Sequence, residues 1–263
     1  MSKHLIDPMK DPFENIIGQD LAKARLQQDL NSVRNGGPAK SILLTAPAGN
    51  GKTGLMNAYA EALAQIPNVE TRTVIPKEFR LEGEAVELIE WLNECITGGK
   101  YFVLFVDEAH EVVTQGTVWM SVWNSLVMRM LDPAYQNKVL ETRDGVILNP
   151  YNPSKGAIIY ATNFPEKLDK SGAYQSRFAR MDLKLYSTEE LGAILELMLK
   201  ARDFKDLRPK TLLKIAECGR GTARPMERIA DELRIIQSAR GGKKTLNRAD
   251  ILQAIQQCEY YPQ

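Results

Sequence analysis

The sequence predicts an α/β fold in which a parallel sheet lies between helices and a helical region follows it. Three observations lead to this prediction. An apolar run at residues 41–45 leads into the Gly-rich turn 46–53, and a helical pattern follows the turn. Residues 101–106 form a continuous apolar run, as expected of a strand buried on both faces of a parallel sheet. From Ser187 onward, apolar residues recur at helical spacing.

The elements of the sheet region are assigned in chain order. Residues 1–12 are polar and contain two prolines, so we expect an extended arm. Apolar residues that recur every three or four positions predict helices at 20–33, from Leu55 to Leu63, at 84–96 and around 119–131. Apolar runs and alternating patterns predict five strands, at 41–45, 69–74, 101–106, 157–161 and 181–185. The core domain is therefore expected to span residues 1–186.

The region from residue 187 to residue 263 is predicted to form a separate helical domain. Ser187 and Glu190 form a capping box at its start. Pro225 suits the first turn of a helix, and Asn247 suits an N-cap. The basic loop 240–244 is interpreted as a solvated turn. The four predicted helices cover about 188–199, 209–218, 225–239 and 247–258.

The composition narrows the class of protein. Lys and Arg total 34 against 33 Asp and Glu, so the net charge gives no global argument for nucleic-acid binding and leaves a local basic surface open. Cys95, Cys218 and Cys258 match no metal or redox spacing, and we interpret them as small apolar residues in a reducing compartment. The longest apolar run has six residues, and the polar N-terminus predicts no signal peptide. We expect a cytoplasmic protein without a membrane partner.

The turn at 46–53 has the residue types of a phosphate-binding loop. Its glycines let the backbone turn successive N–H groups toward phosphate oxygens, and the following helix adds its positive N-terminal end. Lys52 would neutralise the β- and γ-phosphates of ATP, and the Thr53 hydroxyl would bind Mg²⁺. Ala46 replaces the usual first glycine. The candidate nucleotide-binding residues of this segment are Ala48, Gly49, Asn50, Gly51, Lys52, Thr53 and Gly54.

A pair of carboxylates follows the apolar run at 101–106. Asp107 would hold Mg²⁺ through water, and Glu108 would polarise the water that attacks the γ-phosphate. The ends of central strands lie at the ligand crevice of an open α/β sheet, which favours this interpretation over an ordinary polar turn. His110 completes the string Asp-Glu-Ala-His, and we interpret it as a capping or surface histidine.

These motifs and three further ones resemble the AAA+ ATPases, in particular the RuvB-type branch-migration motors and their clamp-loader relatives. Residues 158–163 are similar to the strand that ends in the polar sensor-1 residue, here Asn163. Residues 176–180 resemble the arginine-finger segment, and residues 221–225 resemble the sensor-2 motif. The resemblance covers nearly the whole chain and implies a P-loop AAA+ core with a five-stranded sheet and a C-terminal four-helix lid.

The resemblance also implies self-assembly. An arginine of the finger segment would reach the nucleotide of a neighbouring subunit and stabilise charge in the transition state. Arg177 is the closer match to the family pattern, and Arg180 is the alternative. Because such an arginine makes hydrolysis depend on a neighbour, the resemblance implies a hexamer-like ring or a spiral.

Three further roles follow from the resemblance. Residues 13–19 are similar to the segment that lines the adenine pocket, which assigns Ile17 to nucleotide binding. Arg224 would contact the γ-phosphate from the lid and couple nucleotide state to the lid angle. Tyr186 would stack near the adenine or act as a hydrophobic hinge, and the sequence leaves both open. The RuvB-type motors carry a winged-helix domain after the lid, and we expect none within these residues.

A hairpin is predicted at residues 139–149, just before the sensor-1 strand. Arg143-Asp144-Gly145 is a strong turn signal between two short apolar segments. The hairpin resembles the presensor-1 hairpin of RuvB-like clades, which projects toward a partner or the central pore, and a solvated hairpin without a role is the alternative. The apolar Leu140, Val146 and Ile147 predict a covered or partner-facing side.

Two classes of function remain after this reasoning. The first is an AAA+ ATPase that remodels or translocates a DNA-associated complex. The alternative is a protein-remodelling or regulatory ATPase that acts on a partner protein without DNA contact. The RuvB-like hairpin and the lack of an obvious pore loop of the protein-unfoldase type favour the first.

Overall fold

The structure is a computed structural model that describes residues 11–76, 82–114, 126–142, 145–168, 177–205, 207–241, 245 and 247–259. The chain divides into two compact units. The sheet unit comprises Met1–Asn15, Asp20–Ala46 and Lys52–Leu183, and the helical unit comprises Ile16–Gln19, Pro47–Gly51 and Lys184–Gln263. The sequence predicts a single boundary after Tyr186, whereas the helical unit starts at Lys184 and takes in two earlier segments. The arm predicted at 1–12 lies, up to residue 10, outside the described residues.

The sheet unit is built on a parallel sheet. Its described strands are β1 Ile42–Thr45, β2 Val69–Val74, β3 Tyr101–Val106, β4 Leu140–Glu141, β5 Ile147–Leu148, β6 Gly156–Thr162 and β7 Ala179–Asp182. Five of these form a sheet in the order β2-β3-β6-β1-β7, with every neighbouring pair parallel. This sheet confirms the predicted fold class. The carboxyl ends of β3, β6 and β1 lie side by side at one edge of the sheet.

The fifth strand differs from its prediction at residues 181–185. β7 pairs with β1 alone, and the last pair of this ladder joins Thr45 to Asp182. β1 offers no partner beyond that point except the Thr45 carbonyl, which accepts a hydrogen bond from the Leu183 N–H at 2.8 Å. Leu185 therefore lies outside the sheet and is 57% exposed, although its spacing from Met181 matches a strand.

Helices cover the sheet and share its core. Those described in the sheet unit are α1 Asp20–Arg34, α2 Lys52–Leu63, α3 Glu82–Thr97, α4 Glu111–Thr114, α5 Met128–Met130 and α6 Pro165–Leu168. The helix predicted around 119–131 is described only from residue 126 onward. Leu88 and Leu92 of α3 are fully buried in one cluster with Leu104 of β3 and Ile158 of β6. Each such leucine stabilises the unit by about 1.5–3 kcal/mol, so the strands that carry the site have a rigid base.

The predicted hairpin is present, and its apolar side is covered by the unit itself. β4 and β5 pair antiparallel, with Leu140 opposite Leu148, and both leucines are buried in the core. Asn93 of α3 fastens the second strand, because its amide donates to the Ile147 carbonyl at 2.8 Å and its oxygen accepts from the Asn149 N–H at 2.7 Å. Of the side predicted to be covered or partner-facing, Leu140 is covered and Val146 packs against the same core. Ile147 is 47% exposed, so for this residue the partner-facing alternative stays a prediction. Residues 143 and 144 of the turn lie outside the described residues.

The helical unit contains four described α-helices around its own core. They are α7 Thr188–Lys200, α8 Pro209–Ala216, α9 Arg224–Ala239 and α10 Arg248–Glu259. The capping box predicted at the start of α7 is present, and the Asn247 side chain accepts a hydrogen bond from the Asp250 N–H at 2.9 Å. Tyr186 packs in this core, which explains why the unit begins before residue 187. None of the described helices is long and apolar enough to cross a bilayer.

The interpretation of 240–244 as a solvated turn needs one correction. Arg240 forms an ion pair with Asp250, whose side chain is fully buried. The same carboxylate accepts hydrogen bonds from Gln237 and Asn247, both at 2.6 Å. A buried carboxylate needs such donors because its desolvation is otherwise too costly. Arg240 therefore has a structural role, while residues 242–244 lie outside the described residues.

Candidate active site

The polar residues predicted in the sheet unit meet at the carboxyl edge of its central strands. Lys52 comes after β1, Asp107 and Glu108 follow β3, and Asn163 follows β6. Since β3, β6 and β1 are adjacent and parallel, the chain delivers these side chains to one place. The structure thus brings together residues that lie up to 111 positions apart in the sequence.

Lys52 is held firmly at this edge. It is the first residue of α2 and is only 8% exposed. Its ammonium donates to the Ala46 carbonyl at 2.8 Å and to the Asn163 side-chain oxygen. A buried ammonium needs such acceptors, and both come from the ends of neighbouring strands. The charge therefore stays in place at the N-terminal end of a helix, where an anion is also favoured.

Thr53, the residue after this lysine, forms a hydrogen-bonded pair with Asp107. The Thr53 hydroxyl donates to the Asp107 carboxylate at 2.9 Å. The second carboxylate oxygen accepts from the Glu108 N–H at 2.9 Å, which sets the orientation of the group. Hydroxyl and carboxylate oxygens are the ligands that Mg²⁺ prefers, and Thr53 is exposed. The residues present fit the predicted magnesium site.

Glu108 has an unusual backbone conformation. Its φ angle is +50°, in the left-handed region that costs a residue other than glycine about 1–3 kcal/mol. Its N–H bonds the Asp107 carboxylate, its carbonyl accepts from the Glu111 N–H at 2.9 Å, and the next N–H, of Ala109, donates to the Ala161 carbonyl at 2.8 Å. These bonds hold the strained turn against β6. The Glu108 carboxylate lies 3.4 Å from the Asn163 amide nitrogen through each of its oxygens.

His110 is a part of this cluster that the sequence interpretation missed. It is only 5% exposed, so the surface alternative of its interpretation is wrong. Its Nδ1 lies 3.2 Å from the Thr162 hydroxyl and 3.5 Å from a Glu108 carboxylate oxygen, while its Nε2 lies 3.3 Å from the Glu111 carboxylate. The Phe164 ring packs edge-on at 4.8 Å. The signal in the sequence was the string Asp-Glu-Ala-His, which places the imidazole one turn beyond the carboxylate pair.

Both candidate finger arginines form ion pairs within the sheet unit. Arg177 lies just before β7 and pairs with Asp132 at 2.5 Å. A hydrogen bond from the Ala134 N–H, together with this guanidinium, lowers the pKa of the Asp132 carboxyl. Arg180 lies within β7, is exposed, and pairs with Asp182 at 2.8 Å. The two arginines differ in that the Arg177 pair spans 45 residues, whereas the Arg180 pair is local.

The turn 47–51 belongs to the helical unit, and its backbone is open to an anion. Gly49 and Gly51 have φ angles of +82° and +79°, which glycine adopts without strain. Among the described residues, the N–H groups of 48–51 donate no hydrogen bond within the protein. Four successive donors without a protein acceptor in a left-handed turn form a nest for phosphate oxygens. The turn therefore fits the predicted phosphate loop.

The same turn is fastened by close contacts with the helical unit. The Ala223 N–H donates to the Gly49 carbonyl at 2.8 Å, and a Cβ on Gly49 would come within 3.0 Å of the Arg224 backbone nitrogen. A Cβ on Gly51 would overlap the Tyr186 hydroxyl. The side chain of Asn50 is fully buried and donates to the Lys184 carbonyl at 2.8 Å. Asn50 can therefore offer only its backbone to a nucleotide.

The remaining predicted residues divide between core and surface. Tyr186 is 8% exposed within the core of the helical unit, and burial raises the pKa of its hydroxyl. Its backbone N–H bonds the Gly221 carbonyl at 2.9 Å, an arrangement that suits the hinge interpretation. Ile17 is half-buried, Gly54 is exposed on α2, and Arg224 is exposed at the start of α9.

Comparison with a family of known proteins agrees with these features. The sequence model of the family described as ATPase family associated with various cellular activities (AAA) matches residues 42–185. This is more than half of the 263 residues. The match begins at β1 and ends three residues after β7, so it contains every polar group described at the sheet edge.

Individual relatives and solved structures are more distant. Spastin of Drosophila simulans is 27% identical over 240 residues, which are 86% of this chain and 30% of that protein. The chain thus spans less than a third of the length of this curated relative. The RuvB Holliday junction branch migration motor of Thermotoga maritima has a TM-score of 0.69 at 20% identity, over 95% of this chain and 72% of that one. The FIGL-1 AAA domain in complex with ADP has a TM-score of 0.68 at 18% identity, over 94% of this chain and 84% of that one.

Proposed function

Because the chain belongs to the AAA family of ATPases, we propose that it couples ATP binding and hydrolysis in an oligomer to the remodelling or translocation of a DNA-associated complex. The observation that carries the hydrolytic part is the connected group at the sheet edge. Lys52 bonds Asn163, Asn163 lies beside Glu108, and Thr53 bonds Asp107. The residues that we propose to neutralise phosphate, to hold magnesium and to act as general base thus lie at one edge of one sheet.

The first role of this edge is to bind the triphosphate. The unbonded N–H groups of 48–51 and the Lys52 ammonium would share the charge of the β- and γ-phosphates. Thr53 and Asp107 would hold Mg²⁺, with Asp107 acting through water. When bound, the ion supplies charge neutralisation to the transferred phosphoryl group. Gly54 would contribute at the start of α2, where the helix dipole favours an anion.

The second role is to activate water. Glu108 is the candidate general base, because its carboxylate lies next to the magnesium ligand Asp107 and is held by a fixed backbone turn. Asn163 would orient the water or the γ-phosphate through the amide that now faces Glu108. An attacking water placed between these two groups would give its proton to the carboxylate.

The third role depends on assembly. Members of the AAA family in general form rings, and we propose a hexamer-like ring or a spiral for this chain. The Arg177 guanidinium would then break or weaken its ion pair with Asp132 and reach the nucleotide bound to a neighbouring subunit. Arg224 would contact the γ-phosphate, Ile17 would line the adenine pocket, and Tyr186 would stack near the adenine or act as a hinge. The exposure of Arg224 supports its part of this proposal, since its guanidinium has no described ion pair.

The complex on which the ATPase acts, called its load below, is proposed from the structural likeness and from the hairpin. The structural likeness to RuvB, a Holliday junction branch migration motor, favours a DNA-associated complex. The alternative is a partner protein without DNA contact, and the exposed Val139 and Ile147 on the hairpin favour it, because apolar side chains suit a protein surface.

ATP turnover with different additions separates the two loads. We would measure steady-state hydrolysis of the chain alone, with linear duplex DNA, with single-stranded DNA and with a four-way junction. Stimulation of several-fold by one DNA form supports the DNA-associated load. Equal turnover in all four conditions, combined with stimulation by a co-purified protein, would replace it with the alternative.

A further inference from the structure

The helical unit contains a cleft of about 1990 Å³ between α8, α9 and α10. Its floor is aliphatic and comes from all three helices, with Ile215 of α8, Ile229 of α9 and Ile255 of α10. Leu252, also on α10, lines the cleft and is 50% exposed. Among the described residues that line the cleft, none is aromatic. The apolar stripe of α10 therefore faces an open groove.

The rim of this cleft is strongly basic. Besides Arg224, six exposed cations line it, and the described lining contains a single carboxylate, Glu217. The ion pairs described in the helical unit use other basic residues, such as Lys200 with Glu196 and Arg202 with Asp231. The six cations are Arg208, Lys210, Lys214, Arg220, Arg228 and Arg248.

The net charge of the whole chain is close to zero and does not reveal this local excess of basic residues. Residues 184–263 carry fifteen Lys and Arg against eleven Asp and Glu, whereas residues 1–183 carry nineteen against twenty-two. Like charges that converge on one concave surface repel one another and raise the local concentration of anions. A surface of this kind is stabilised when an anionic partner binds it.

The lining decides between classes of anionic partner. Single-stranded nucleic acid binds by stacking its bases on aromatic side chains, and the described lining offers none. A duplex presents phosphates and would leave the aliphatic floor without a partner. An amphipathic helix with acidic residues beside its apolar face matches both parts of the cleft. We propose that the cleft binds an acidic amphipathic segment of a partner protein.

This proposal does not rest on the hydrolytic one. The cleft reaches Ala48 and Arg224 at one end, and those residues are assigned to the nucleotide. None of the six rim cations has such an assignment. Loss of the segment's binding and loss of nucleotide binding are therefore separate outcomes.

Fluorescence anisotropy on the full chain tests the proposal. The probe is a fluorescein-labelled peptide of fifteen residues with Leu at helical spacing and Glu at most other positions. A second peptide has the same composition in a scrambled order, and a fifteen-base-pair duplex DNA is the nucleic-acid probe. The cleft variant carries Lys210→Glu, Lys214→Glu and Arg248→Glu. The matched control carries Lys200→Glu, Lys205→Glu and Arg234→Glu, which change the charge equally outside the cleft lining.

We expect the amphipathic peptide to bind at least tenfold more weakly to the cleft variant and within twofold of wild type to the control. We also expect the scrambled peptide to bind wild type at least fivefold more weakly, because its apolar face is lost. Leu252→Gln should weaken peptide binding without any change of charge. This single variant tests the cleft if the triple variant does not fold. Equal binding of both peptides would overturn the proposal. So would duplex DNA binding that the cleft variant alone loses, or loss of self-assembly in that variant without a change in peptide binding.

Discussion

The polar edge of the sheet unit and the basic cleft of the helical unit differ in whether their charged side chains are bonded to partners within the unit. At the sheet edge, Lys52 is bonded to Ala46 and Asn163, and Asp107 is bonded to Thr53. In the cleft, six exposed cations besides Arg224 lie on a surface whose described lining has one carboxylate, Glu217. Groups that are already oriented suit chemistry, because they need no reorganisation in the transition state. Unpaired surface charge suits recognition, because it attracts a partner of opposite sign.

This contrast predicts where substitutions act. Changes in the bonded network should alter basal turnover, whereas changes on exposed surfaces should alter only the response to a partner.

Lys52→Ala should remove nucleotide binding and turnover altogether. The substitution deletes the buried cation and leaves the Ala46 carbonyl and the Asn163 oxygen without their donor. Binding of a fluorescent ATP analogue and phosphate release would both be measured. Lys200→Ala on the exposed side of α7 is the control, since its ion pair with Glu196 is a local surface contact. Wild-type affinity in the Lys52 variant would show that the turn does not hold phosphate.

Glu108→Gln should keep nucleotide binding and lower turnover by about 10²–10⁴-fold, the range of a lost general base. Glutamine preserves the shape of the side chain, and the backbone N–H of residue 108 can still donate its hydrogen bond to the Asp107 carboxylate. The variant should therefore retain ATP without hydrolysing it, which single-turnover measurements would show. Hydrolysis at the wild-type rate would assign the base to another residue.

Arg177→Ala should lower turnover about 10³-fold with little change in nucleotide affinity, if the arginine acts in trans. Arg180→Ala is the matched control, because its pair with Asp182 is local and exposed. Mixing the Arg177→Ala chain with the Lys52→Ala chain should restore part of the activity, since each supplies what its neighbour lacks. Full turnover of a dilute monomer would contradict both the trans role and the assembly.

His110→Leu should lower turnover about tenfold while nucleotide affinity stays within twofold. The imidazole is buried between Thr162, Glu108 and Glu111. Without it, the carboxylate of Glu108, the proposed general base, would be held less firmly in its orientation. His110→Asn retains a donor near Thr162 and should recover part of the rate. If both variants lost affinity and turnover equally, the histidine would support the fold rather than the orientation of Glu108.

Shortening the hairpin turn should affect only the stimulated reaction. Replacement of Arg143-Asp144-Gly145 by Asn-Gly introduces a two-residue turn and leaves Leu140 and Leu148 in the core. Basal turnover and assembly should stay within twofold, while stimulation by the load should be lost. Ile147→Ser, on the exposed side, should have the same effect to a smaller degree. An equal fall in basal turnover would mean that the hairpin is structural.

Much of the fold follows from local patterns that the sequence displays directly. The four buried residues of β1 and the five of β3 stand between turn signals, and their apolar runs predict them closely. Ser187 and Glu190 satisfy each other within one helical turn, so their pattern needs no distant partner. The fifth strand was misplaced because its end depends on the length of β1, which is not a property of residues 179–185.

The candidate site is divided in the same way. The phosphate turn and the pair Asp107-Glu108 are short contiguous motifs, so the sequence alone identifies them. The sequence alone also sets the glycines at 49 and 51, whose positive φ angles are a backbone requirement. The assignments of Arg177, Arg224, Tyr186 and Ile17 to the nucleotide stay predictions.

Only the tertiary structure decided which groups meet. The order of the strands places Thr162 beside His110, and it places Asp132 where Arg177 can reach it. The packing of α3 covers the apolar side of the hairpin, and the packing of α8, α9 and α10 gathers six cations around one cleft. A hydrogen bond or an ion pair forms only over a few ångströms, and residues far apart in the chain come that close through the arrangement of whole helices and strands. Hydrophobic periodicity and turn residues specify each helix and strand separately, whereas the tertiary fold determines which of these elements pack against one another.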